Sequence, residues 1–298
     1  MTVELISLMN KPSEVLEKTI HVQERRASTG FLRLVLLGIL AGFFVAGGAA
    51  TSSVAVHALT NVGIARIVAG VVFPVGLMMI VFIGGELFTG NCLMILGVVD
   101  RRFKIIHMLR VLVIVFCSNL IGALLVVLLV GFSGQYEYSA GLLGAYTIRV
   151  AYNKTSMTFL EGFCSGVMCN IFVCGAVFMA GAAKEEGGKI WAMFFTILAF
   201  VVGGFEHCIA NMYYIPAGIL AMGKPEYLEI AKETYGLTSA QLENLNWGTF
   251  FTNNIIPVGL GNIIGGMALG VALYLVYKKL PATRRKYANQ GEEFDNED

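Results

Sequence analysis

The chain has 298 residues, of which 56% are hydrophobic and only 14% charged, with a mean hydropathy of +0.73. A soluble domain carries about 25% charged residues, so this composition argues against a water-soluble enzyme of ordinary type. A net charge of +1 without any basic tract argues against disordered, collagen-like and nucleic-acid-binding classes.

Residues 1–33 mix acidic and basic side chains and hold no uninterrupted apolar core, so no signal peptide is expected. Val15, Leu16, Thr19, Ile20 and His21 form a modest stripe that predicts a short cytosolic or interfacial helix. Six apolar blocks follow, at 34–65, 67–99, 111–132, 158–183, 190–222 and 255–277. Each reaches the roughly 20 residues needed to span a bilayer, which predicts an all-α membrane protein with a six-helix domain over 34–279. Residues 280–298 read as a polar, acidic and disordered cytosolic tail. Six spans put both termini on one side. If that side is cytoplasmic, only Arg66, Arg149, Lys154, Lys224 and Lys232 of the 21 lysines and arginines lie outside, so positive charge is expected inside a plasma membrane.

The second and fifth blocks are too long. A straight helix over 67–99 or 190–222 would run about 50 Å, against a hydrocarbon core of about 30 Å. Both blocks carry the same interruption. A Gly-Gly pair (Gly84-Gly85, Gly203-Gly204) precedes a glutamate (Glu86, Glu206), and an asparagine closes the stretch (Asn91, Asn211). Blocks three and six share the pattern Asn-Leu/Ile-Ile-Gly, at Asn119 and Asn262. The expectation is an inverted 3+3 repeat with helices two and five broken, the pattern that points to a transport site at the bilayer midplane. Glu86 and Glu206 are expected to anchor backbone N–H groups freed at the breaks. Thirty-five glycines, with GxxxG spacings at Gly38, Gly162 and Gly266, predict tight helix crossings. The six cysteines lie in apolar stretches without metal-site spacing and read as buried thiols, so neither a metal nor a cofactor is expected.

The stretches GGELFTGN, GGFEHCIANMYYIPAGI and NNIIPVGLGNIIGG resemble the formate/nitrite transporter family over roughly residues 31–277. The resemblance implies a homopentamer of aquaporin-like protomers, each with its own pore. It implies that Leu87, Phe88 and Thr89 form the loop breaking helix two and that His207 is the pore histidine, with Glu206 beside it. By the same resemblance Phe73 and Phe200 form an outer constriction, Leu77 and Leu87 lie at apolar constrictions joined by Phe88, and Asn170 and Asn262 contact the histidine–threonine region. Lys154 would stand near the outer vestibule. The Asn-Pro-Ala pair of aquaporins is absent, which argues against the alternative of a neutral-solute pore for water, ammonia or glycerol. An intramembrane enzyme using Glu206 and His207 lacks a nucleophile motif.

The implied substrate is a small weak-acid anion, with formate favoured over nitrite, hydrosulfide, acetate and lactate. Apolar constrictions oppose a bare anion by tens of kcal/mol before relaxation. Lys154 would therefore concentrate the anion, His207 would supply a proton, and Thr89 would orient the imidazole or bind a carboxylate oxygen.

Overall fold

The computed structural model describes residues 9–280, all of them helix or connection apart from one isolated bridge between Met9 and Ala183. The acidic tail expected over 280–298 lies almost wholly outside the described residues, as does the start of the N-terminal segment. The expected stripe is a helix, α1 (Pro12–Ala27), opened by proline in its first turn and closed by Arg25 and Arg26. Glu14 in the first turn and the two arginines in the last suit the two ends of the helix dipole. Val15, Leu16 and Ile20 are buried, whereas His21 is exposed on the opposite face.

Among the described residues, six helical stretches are long and apolar enough to cross a membrane. They comprise α2 (Phe31–Val56), the pair α3 (Val62–Val72) and α4 (Val75–Ile83), α7 (Ile105–Phe132), α9 (Phe159–Ala182), α10 (Glu186–Gly203), and a last stretch from α14 (Trp247–Thr249) through α15 (Ile256–Tyr274) to Lys279. The short helices α5 (Phe88–Asn91), α6 (Ile95–Val99) and α11 (Cys208–Ala221) complete the apolar set. Span limits differ from the sequence reading at the first block. Residues 57–61 are a connection, not the end of a span, and Asn61 Oδ1 accepts the Ile64 N–H to start α3. A charge-free run hides such a turn, because hydropathy alone carries no chain direction.

In the second block, helix ends at Ile83 and resumes at Phe88. In the fifth it ends at Gly203 and resumes at Cys208. Gly84 (φ +102°) and Gly204 (φ +70°) open these gaps in conformations that side-chain-bearing residues avoid. The long links also hold helices that hydropathy did not disclose: α8 (Leu142–Thr155), α12 (Pro225–Tyr235) and α13 (Ser239–Glu243).

Two close crossings organise the bundle, α2 on α7 and α9 on α15. A Cβ at Gly42 would sit 2.0 Å from the Asn119 carbonyl oxygen, and one at Gly265 would sit 2.2 Å from that of Val167. Only glycine allows this backbone approach, and these contacts lie within one chain. Leu36, Phe43, Val113, Leu129, Trp191 and Phe195 face outward as an apolar surface. Of the cysteines, Cys117 and Cys164 are exposed on that surface, which corrects the reading of all six as buried. An apolar helix has lipid-facing positions as well as core ones.

Candidate functional site

Two buried asparagines fasten the two gaps by the same set of bonds. Asn119 Nδ2 donates to the carbonyls of Gly38 (2.7 Å) and Glu86 (3.0 Å), and its Oδ1 accepts from Phe88 N (3.0 Å). Asn262 Nδ2 donates to the carbonyls of Gly166 (2.8 Å) and Glu206 (3.0 Å), and its Oδ1 accepts from Cys208 N (2.9 Å). Each side chain thereby satisfies one carbonyl and one N–H left by the break and ties them to a carbonyl within a neighbouring span, α2 or α9. Asn170 donates to the carbonyls of Thr89 (3.1 Å) and Asn262 (2.6 Å). Asn170 and Asn262 therefore reach the histidine–threonine region through backbone, with their donors already used.

His207 sits at the N-cap of α11 and is 4% exposed. Its Nδ1 accepts the Ala210 N–H at 3.2 Å. That bond places the ring proton on Nε2, which lies 2.8 Å from Thr89 Oγ1 and donates to it. With Oγ1 accepting, the threonine keeps its own hydroxyl proton for donation. Half-helices α5 and α11 thus meet at one buried polar contact. Phe200 lies 6.2 Å from the imidazole and packs edge-on to Phe73 at 5.7 Å. Leu77 and Leu87 are buried. Phe88 instead packs edge-on against Phe116 of α7, at 5.0 Å.

A cavity of about 180 Å³ reaches this centre from the face carrying α8, and Phe73, Phe200, Lys154, Glu206, His207 and Tyr214 line it. Lys154, in the last turn of α8, does not stand free. Its ammonium donates to both oxygens of Glu206 at 2.9 Å and lies 5.1 Å from the centre of the Tyr214 ring. Asn211 Nδ2 donates to Glu206 Oε2 (2.6 Å) and to Asn254 Oδ1 (2.7 Å). At the other gap, Arg26 of α1 pairs with Glu86 (3.1 and 3.0 Å), while neither side-chain atom of buried Asn91 meets a hydrogen-bond partner. Glu86 and Glu206 were expected to take backbone N–H groups. Their carboxylates are occupied by cations instead, and their own N–H groups go to Leu37 O and Ser165 Oγ.

The sequence reading missed Arg26, Asn254 and the fastening role of Asn119. Arg26 could have been found by aligning the two halves, because it lies five residues before α2 as Lys154 lies five before α9. On the α1 face, Arg25, Arg26, Arg33 and Glu86 line a cleft of about 580 Å³.

Spanning helices interrupted around a buried polar centre, with a charged cavity leading to it, define a multi-pass membrane transport protein. The chain belongs to the formate/nitrite transporter family, whose model matches residues 13–277. It is 34% identical over 286 residues to a probable formate transporter of Methanothermobacter thermautotrophicus, covering 90% of this chain and 97% of that one. It is 36% identical over 212 residues to the formate channel FocA of Haemophilus influenzae, covering 70% of this chain and 73% of that one. A solved structure described as a pentameric formate channel with formate bound superposes with a TM-score of 0.73 at 32% identity, covering 83% of this chain and 97% of that one.

Proposed function

We propose that this protein is a homopentameric channel or transporter for small monovalent weak-acid anions, with formate as the preferred substrate. Each protomer is an aquaporin-like inverted repeat whose halves meet at the Thr89–His207 contact. The α1 face is cytoplasmic, since 16 of the 21 lysines and arginines fall on that side under this topology. The repeat is supported by the matched asparagine bonds, by the matched pairs Arg26–Glu86 and Lys154–Glu206, and by glycines of positive φ at both gaps. Relatives named as formate channels or transporters support the substrate.

The observation that carries this reading is the buried Thr89–His207 hydrogen bond beside the Phe73–Phe200 pair. A charged anion crossing apolar constrictions would lose several kcal/mol even after relaxation. Donors at the centre offset part of that cost, and the Thr89 hydroxyl is one such donor. Positive N-terminal ends of α5 and α11 add to it. A proton that travels with the anion removes the charge altogether. The move also frees transport from the membrane potential, worth about 2.3 kcal/mol per 100 mV. For His207 to give that proton, Nδ1 must first be protonated, which displaces the Ala210 N–H. The coupling step is therefore expected to include a local opening of the α11 N-cap.

Uptake of labelled formate into proteoliposomes under an imposed pH gradient tests the reading. Nitrite, hydrosulfide, acetate and lactate serve as competitors, and osmotic shrinkage reports neutral solutes. Formate uptake driven by an inward proton gradient, abolished in His207→Phe, is expected. Shrinkage in neutral osmolyte without anion flux would defeat it.

A further inference from the structure

We infer that an arginine-lined cleft on the α8 face is a staging site for the transported carboxylate or oxyanion, ahead of Lys154. The inference rests on the transport reading above. The cleft encloses about 670 Å³ and is lined by Arg66, Arg149, His57, Asn153 and Tyr235, among others. It is continuous with the cavity that reaches His207, since Val56, Ala69, Tyr146, Val150 and Val201 line both. Among the described residues lining the cleft there is no aspartate or glutamate.

Charge distribution makes the assignment. Lys154 gives both oxygens of Glu206 a hydrogen bond, so the inner cavity is neutral as a pair and cannot by itself draw anions from bulk. The positive charge of this face stands one step further out. Arg66 is braced, not neutralised: its Nη1 donates to Val202 O (3.1 Å), and its guanidinium lies against Gly204, where a Cβ would come within 2.8 Å. Gly204 opens the gap that holds Glu206 and His207. Arg149 lies over the Tyr235 ring at 4.7 Å, which fixes the guanidinium plane without cancelling its charge. A guanidinium fork matches two coplanar oxygens, so the ligand class is a small carboxylate or nitrite-like oxyanion in preference to a halide.

The test uses intact cells, where added anion meets only the outward face. Initial rates of labelled formate uptake are measured against formate concentration, at low and high ionic strength, for wild type, Arg149→Gln and Arg66→Gln/Arg149→Gln. The half-saturating concentration is expected to rise about three- to tenfold in the double variant, within the range that electrostatic focusing supplies, with the maximal rate within about twofold of wild type. Salt should slow wild type more than the double variant, and Arg149→Lys should retain the salt effect. Because Arg66 also braces α10, Arg149→Gln decides the matter if the double variant fails to assemble. Normal wild-type flux with an unaltered half-saturation and salt profile in Arg149→Gln would overturn this site alone. Absence of formate flux from wild type would overturn the transport reading and this site with it.

Discussion

Lys154 and Glu206 act as a pair, so either one alone is the wrong unit for substitution. The ammonium is bound by two carboxylate oxygens and stacked on Tyr214, and the carboxylate also takes the Asn211 amide. Removing one partner of a buried ion pair strands the other charge, at about 3–5 kcal/mol, whereas neutralising both is far milder. Lys154→Met is therefore expected to lower thermal stability and flux together. Lys154→Met/Glu206→Gln should recover most of the stability in a melting experiment on purified protein. Equal stability of the single and double variants would show that the pair is not coupled. The Thr89 hydroxyl is the second residue-scale test. Thr89→Val keeps the shape but removes the acceptor of the imidazole proton, and formate flux is expected to fall at least about tenfold, given about 1.4 kcal/mol per decade. Flux close to wild type in that variant would exclude the hydroxyl from the path.

Each gap stands because one asparagine takes the carbonyl and the N–H that the break leaves without helical partners and ties them to a carbonyl of a neighbouring span. Asn262→Ala would leave Cys208 N and the Glu206 carbonyl without this partner and would cut the tie to the Gly166 carbonyl of α9. A destabilisation of about 2 kcal/mol or more is expected, since buried unsatisfied groups cost about 1–3 kcal/mol each and membrane surroundings moderate this. A melting point within 1–2 °C of wild type would contradict the fastening role, on the scale where ~1 kcal/mol moves a chain of this size by about 2 °C or more. These gaps were legible in the sequence because glycine, glutamate and asparagine are conspicuous in otherwise apolar runs. The apolar spans were legible for the same compositional reason. Helices α8 and α12 were not, because their short, mixed-polarity sequences resemble loop and carry no long apolar run. The Lys154–Glu206 and Arg26–Glu86 pairs were invisible as well. Their partners are brought together only by docking α8 and α1 against the bundle, and no local pattern encodes such a contact. Recognising Lys154 as a lone cation was the consequence.

At the scale of the whole molecule, the α1 face is tied across three distant parts of the chain. Lys278, at the end of the last span, bonds Glu17 of α1 and Asp100, each at 2.8 Å, and Asp100 also takes Arg102 at 2.9 Å. Asn10 adds bonds to the carbonyls of Gly181 and Ala182. Partial burial pushes the Asp100 carboxyl up, but the hydrogen bonds from Lys278 and Arg102 outweigh it and hold the group below the ordinary carboxylate range. A depressed folded-state pKa contributes stability above the unfolded value and loses it as pH falls through the folded one. The tie is thus complete at neutral pH and weakens only in strong acid. Asp100→Asn is expected to lower the melting temperature at pH 7 by about 2 °C, a modest figure because water screens the pair. That difference should shrink as the buffer is taken below the ordinary carboxylate range, where wild type has lost the same charge. A difference that persists unchanged in acid would mean that Asp100 acts through packing alone, leaving the Lys278–Glu17 contact as the ionic link to α1.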